Sequence, residues 1–161
     1  MKEKLTVSFF GHRFIDDSQT VEQKLYELLR IIISRGDREV EFLVGRNGDF
    51  DLVAASVVRR LKKELNVENV FLTLVLPYET AELRNNAEAF ENYYDSIEIS
   101  EASADKNFKY AITARNRDMI DRSGTVVVYV KNQSGGAYQS LRYAEKNEKK
   151  IVNLYYTHNE N

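Results

Sequence analysis

The sequence predicts an α/β domain: a three-layer, Rossmann-like sandwich around a mainly parallel sheet of at least five strands. Short runs of β-branched and aromatic residues alternate with longer segments of helical periodicity, the pattern of repeated βαβ units. Those short runs are apolar at nearly every position, as strands covered by helices on both faces must be. The chain has 161 residues and no cysteine. That is the length of one domain, long enough to bury its own core without disulfides.

The elements follow in order. Residues 5–10 (LTVSFF) read as a buried strand stopped by Gly11. Over residues 18–34, Val21, Leu25, Leu28, Leu29, Ile32 and Ile33 recur at helical spacing, with Ser18 as the expected N-cap and Gly36 as the stop. Residues 40–44 form the second strand, ended by Gly45. Residues 50–65 form a helix whose outer edge carries Arg59, Arg60, Lys62 and Lys63. Residues 70–76 form a third strand, closed by Pro77. Residues 80–94 have helical character, and residues 96–99 suit a short strand. Residues 107–122 read as a helix through Tyr110, Ala111, Ala114, Met119 and Ile120. Residues 125–130 (TVVVYV) are the strongest strand, residues 137–147 a helix and residues 151–155 the last strand. No repeat and no linker interrupts the chain, so residues 1–161 are read as a single domain.

Composition excludes several classes. Apolar residues make up 43% and charged residues 30% of the chain, which excludes disorder. Without cysteine there is no thiolate metal site or thiol nucleophile. The two histidines, His12 and His158, are too far apart in sequence to favour a metal site, so no metal and no cofactor are expected. His158 reads as a solvated tail residue. The net charge of −2 leaves nucleic-acid binding to a local patch. No run approaches the ~20 apolar residues that span a bilayer, and the start lacks a signal-peptide pattern. A cytoplasmic location without membrane association is the expectation.

In parallel α/β sheets ligands bind beyond the carboxyl ends of the strands. Three loops there are glycine-bearing: Gly11-His12-Arg13, the stretch Gly45-Arg46-Asn47-Gly48-Asp49-Phe50-Asp51, and Ser134-Gly135-Gly136-Ala137. Glycine lets the backbone approach a ligand closely, and a helix start offers unpaired N–H groups to an anion. Asp49 or Asp51 could cap the helix that follows Gly48. Taken together the loops predict a pocket for phosphate or another anion, whereas any one of them alone reads as a tight turn. The dinucleotide fingerprint G-x-G-x-x-G and the P-loop are both absent. Arg13, Arg46 and Arg115 are the candidate cations, since arginine grips phosphate bidentately. Ion pairs of Arg117 with Asp121 and of Arg122 with Asp118 are the plainer reading of the neighbouring charges. His12 could touch the ligand, although a loop histidine more often serves as a hydrogen-bonding group. Asp49, Asp51, Asp121 and Glu145 are the acids placed for N-glycosidic chemistry, and no pair stands out among them. Tyr78, Tyr110 and Tyr138 could stack on a base.

The motifs F-F-G-H-R, G-R-N-G-D-F-D, A-R-N-R-D-M-I-D and S-G-G-A-Y-Q-S-L-R-Y-A-E-K, in that order, resemble the SLOG superfamily. The resemblance runs from about residue 5 to residue 154 and is nearest to the small bacterial G-H-R branch akin to YpsA. It implies a Rossmann-like fold that binds nucleotides, nucleotide-derived ligands or nucleic acid, as in DprA and the LOG phosphoribohydrolases. LOG enzymes carry P-G-G-x-G-T-x-x-E with a catalytic glutamate. Aligned on Gly135 and Gly136, that glutamate falls on Arg142, and Glu145 lies one turn further on. The resemblance therefore disfavours LOG-type hydrolysis.

Three functions follow. The first is a nucleotide-ligand sensor or carrier module built on Gly11, His12, Arg13, Gly45, Arg46, Gly48, Asp49, Asp51, Arg115, Gly135, Gly136 and Ala137. The second is a nucleotide-processing enzyme of N-glycosidase or phosphoribohydrolase type. The third is a DprA-like nucleic-acid binder using the basic runs at residues 59–63 or 146–150. Homodimerisation stays open, because no self-association patch is visible in the sequence.

Overall fold

The computed structural model describes residues 3–104 and 107–157. His158 lies outside the described residues. Six strands form one sheet in the order β4-β3-β2-β1-β5-β6, and every pairing is parallel. They are β1 (Glu3–Gly11), β2 (Arg38–Val44), β3 (Val70–Leu76), β4 (Ser96–Ile99), β5 (Thr125–Tyr129) and β6 (Lys150–Asn153). The order reverses between β1 and β5, and that is where such sheets open a crevice at their carboxyl edge.

Helices cover both faces. Helices α1 (Ser18–Ser34) and α2 (Asp49–Leu65) pack on one face against Val7, Phe9, Phe42, Leu72 and Leu74. Helices α5 (Phe108–Arg122) and α6 (Gly136–Lys146) pack on the other, against Phe10, Leu43, Val75, Val126 and Val128. Along β1 the alternation is direct: Val7 and Phe9 face one layer and Phe10 the other. Both faces are apolar because both are buried.

Four expectations shift. Helix α1 is capped by Asp17 rather than Ser18: the Asp17 carboxylate accepts from Thr20 N–H at 3.1 Å and from the Thr20 hydroxyl at 2.6 Å. The expected helix over residues 80–94 breaks into α3 (Ala81–Asn85) and α4 (Ala87–Tyr93). Asn86 leaves the helical region at the break, and its amide donates back to the Glu82 carbonyl at 2.9 Å. The last strand stops at Asn153 and the chain turns into α7 (Leu154–Thr157). The Asn153 side chain causes this: Oδ1 accepts from the N–H groups of Val130 and Tyr155, and Nδ2 donates to the Val130 carbonyl. Neither Asp49 nor Asp51 caps α2. Its N-cap is Gly48, with no side-chain cap bond, and both acids sit in the first helical turn.

Candidate functional site

One cavity of about 360 Å³ opens at the carboxyl edge of the sheet beside the point of strand reversal. It gathers Gly11 from the end of β1, His12 and Arg13 from the loop that follows, and Gly45, Asn47, Gly48 and Asp51 from the loop after β2 and the start of α2. Helix α5 supplies Ile112, Arg115, Asn116 and Met119, and the start of α6 supplies Gly135, Gly136, Ala137 and Ser140. The three glycine loops read from the sequence thus meet around one space.

Glycine makes this approach possible at two places. A Cβ on Gly48 would lie 2.9 Å from the Arg13 carbonyl oxygen, so the two loops pack backbone to backbone there. The Asp49 N–H donates to that same carbonyl at 2.8 Å. Gly135 adopts φ +93°, a conformation that favours glycine, and this turns the chain into α6. Beyond its chain neighbours and the backbone of its own helix, no atom of the described residues lies within 4 Å of where a Cβ on Gly136 would point, so the start of α6 is open.

Arg115 is the centre of the site. It is 2% exposed, yet it lines the cavity. It lies on the face of α5 that also carries the buried Ala111 and Met119, one turn to either side. Nε donates to Asn116 Oδ1 at 2.8 Å and Nη1 to the Val75 carbonyl at 2.8 Å. Nη2 has no acceptor among the described residues. Burial lowers the guanidinium pKa and the nearby Asp51 charge opposes that; an arginine stays charged throughout. A Cβ on Gly45 would sit 3.0 Å from Arg115 Nη1 and 3.4 Å from Asp51 Oδ2, so glycine there leaves room for both groups.

Asp51 Oδ2 accepts from the Asn47 N–H at 2.8 Å, and Oδ1 has no donor among the described residues. Burial raises its pKa, while the Asn47 hydrogen bond and the Arg115 charge pull it down. The cavity floor therefore pairs a cation with a donor to spare and an acid with an acceptor to spare.

His12 plays a structural part at the rim. Its Nε2 accepts from the N–H groups of Lys131 at 2.9 Å and Asn132 at 3.2 Å. This pins the loop that leads to Gly135, and it requires a neutral ring with the proton on Nδ1. Burial, then the Lys131 charge, hold its pKa below the ordinary 6.5. A lowered folded-state pKa means that the unfolded chain binds more protons in the window below 6.5. The contribution of His12 to stability is complete above that value and is lost as pH falls toward the lowered one. We expect the thermal midpoint to fall as pH drops below 6.5, and His12→Gln to flatten that part of the profile. An unchanged slope in the variant would contradict this role.

Two of the expected ligand residues lie elsewhere. Arg46 turns away from the cavity: Nε donates to Glu82 at 2.8 Å, Nη1 to the Tyr94 hydroxyl at 3.0 Å, and its guanidinium lies 4.8 Å over the Phe90 ring. Asp49 does not line the cavity either; its carboxylate accepts from the Ile15 N–H at 3.1 Å. None of Tyr78, Tyr110 and Tyr138 lines it. Tyr78 meets Phe108 edge-on at 4.8 Å, and the Tyr138 hydroxyl accepts from Arg142. Arg142 and Glu145 face each other at 3.8 Å outside the cavity, so no glutamate stands where the hydrolase motif would need one. Asp121 accepts from the Tyr143 hydroxyl and Arg117 stacks on the Tyr143 ring, in place of the expected Arg117–Asp121 pair. Arg122 does pair with Asp118, at 3.6 Å, and also with Glu98.

Most of the basic edge of α2 is matched internally. Arg60 pairs with Glu22 and Glu64 and stacks on Tyr26, Lys62 pairs with Asp95 at 2.9 Å, and Arg59 stacks on Tyr93. Sequence reasoning missed Asn47, Ile112, Asn116 and Ser140 as cavity residues. Asn116 carried a signal, since it follows Arg115 in a motif already singled out. No group of three or more metal-binding side chains occurs among the described residues, and no helix among them is long and apolar enough to cross a membrane.

No known family profile and no curated protein matches the chain. Solved structures do. DNA processing protein A (DprA) from Streptococcus pneumoniae superposes with a TM-score of 0.66 at 14% identity, over 91% of this chain and 49% of that one. DprA from Helicobacter pylori, solved for its single-stranded DNA binding mode, gives a TM-score of 0.60 at 20% identity, over 91% of this chain and 63% of that one. The chain thus spans about half to two thirds of the DprA chains it matches. At these identities the likeness is one of architecture: this chain has a DprA-like, Rossmann-type α/β fold.

Proposed function

We propose that this chain is a binding module for a nucleotide or nucleotide-derived ligand, close to the small G-H-R branch of the SLOG superfamily. The ligand's phosphate sits between the open start of α6 and Arg115. The observation that carries this reading is the buried guanidinium of Arg115, which lines the cavity with Nη2 unpaired. Nη2 is not sealed from solvent, and with the rest of the guanidinium buried an anion is a stronger partner for it than water. The N–H groups at Gly136 and Ala137 add the partial positive charge of a helix start. The start of α2 is acidic, so it suits the other end of such a ligand: Asp51 Oδ1 can accept from a ribose hydroxyl.

The reading assigns binding, not turnover. Arg142 stands at the position of the LOG glutamate and is outside the cavity, as is Glu145. Titration of 15N-labelled protein with AMP should shift the amide signals of Gly136, Ala137 and Gly45, and chromatography of the mixture should show AMP intact. Shifts confined to residues 59–63, or none at all, would contradict the assignment. Released adenine would favour the enzyme. A second reading rests on the fold likeness to a protein solved for its single-stranded DNA binding: a nucleic-acid strand could present its phosphates to the same cavity. An oligonucleotide that displaces AMP would support that version.

A further inference from the structure

We infer that the ligand carries two nucleoside units and that the second one occupies a neighbouring cavity, on the far side of the loop after β1. This rests on the nucleotide reading above. The neighbouring cavity measures about 290 Å³ and shares His12 and Arg13 with the first as common walls. Its remaining lining includes Phe14, Asp16, Tyr129 and Lys131.

Three features make it a receptor for a base and a linking phosphate. First, Arg13 lines both cavities, and its guanidinium engages no acceptor among the described residues. That uncommitted cation can reach a phosphate that joins the two units. Second, Lys131 supplies another cation. Its partner Asp16 is 3.7 Å away with a side chain 96% exposed, a pair that contributes little and can open. Third, Phe14 is 79% exposed and stacks on no other ring among the described residues. A lone exposed phenylalanine is ordinary at a surface. One that lines a cavity beside two cations is a stacking platform for a base. Tyr129 adds a firm wall, because its ring packs at 6.3 Å from Phe50 and at 5.9 Å from Tyr155.

Two linkages fit this chemistry, a pyrophosphate or a phosphodiester, and the probes separate them. AMP, diadenosine diphosphate and the phosphodiester pApA are titrated calorimetrically into the wild-type chain and into Phe14→Ala. At least one dinucleotide should bind roughly 5- to 150-fold more tightly than AMP, the range that one stacked base contributes. Phe14→Ala should reduce that dinucleotide to the affinity of AMP and leave AMP itself unchanged. The linkage that shows the gain identifies the ligand type. AMP binding with no gain for either dinucleotide overturns the inference alone. An equal loss of AMP and dinucleotide affinity in Phe14→Ala also overturns it. Failure of all three probes to bind removes the nucleotide reading and the inference together.

Discussion

Gly11→Ala should lower the thermal midpoint by roughly 2–12 °C, through a cost of about 1–3 kcal/mol for overpacking. Gly11 ends β1, where the first ligand loop begins. A Cβ there would collide with the Cβ, Cγ and Cδ2 atoms of Phe50. Phe50 cannot yield, because it is fully buried, stacked against Tyr129 and tilted against Phe9. It also anchors the first turn of α2, so any displacement would carry Asp51 with it. Gly136→Ala is the matched control. The added methyl meets no atom of the other described residues outside its own turn, and alanine favours helix over glycine by up to about 1 kcal/mol. Its midpoint should hold or rise, whereas equal losses in both variants would mean that Phe50 does not set the requirement at Gly11.

The same collision shows what the sequence could and could not convey. The strands were legible because β-branched and aromatic runs stop at glycines, and those glycines fall at the carboxyl ends of the strands. Hence Gly11, Gly45, Gly48, Gly135 and Gly136 could be assigned to one edge of the sheet from the sequence, and the structure gathers them there. Why Gly11, Gly45 and Gly48 must be glycine was not legible. The reasons are tertiary: Phe50 against Gly11, Arg13 against Gly48, Arg115 and Asp51 against Gly45.

Arg46 illustrates the same limit. Its position beside Gly45 suggested a ligand role, but its partners Glu82 and Tyr94 lie 36 and 48 residues further along the chain. Spacing alone does not reveal such a partnership. Arg115, by contrast, left a trace. Ala111, Arg115 and Met119 recur every four residues, so the arginine sits on the apolar face of its own helix. A charged residue at a core position is either paired or functional. The helix α7 that replaced the end of the last strand had no comparable signal, because it depends on the Asn153 side chain reaching Val130 across the sheet.

Arg115→Met should weaken AMP binding by about 1.5–3 kcal/mol, or roughly 10- to 150-fold. Methionine keeps much of the volume and removes the donors. The loss comes from Nη2, the guanidinium nitrogen that bonds neither Asn116 nor Val75. Two further consequences are built in. The Val75 carbonyl loses its guanidinium donor, at a stability cost of about 1–3 kcal/mol. Asp51 loses the cation that restrains its pKa, so its carboxyl takes up a proton more readily and becomes a poorer acceptor. Arg115→Lys keeps the charge but not the fork, and it should fall between wild type and Arg115→Met. Calorimetric titration of AMP into wild type and Arg115→Met, both verified as folded at the titration temperature, tests the central claim most directly. Saturable binding to the wild-type chain that weakens at least tenfold in Arg115→Met is the predicted result. Equal affinity in both chains, or no binding to the wild-type chain, would contradict it.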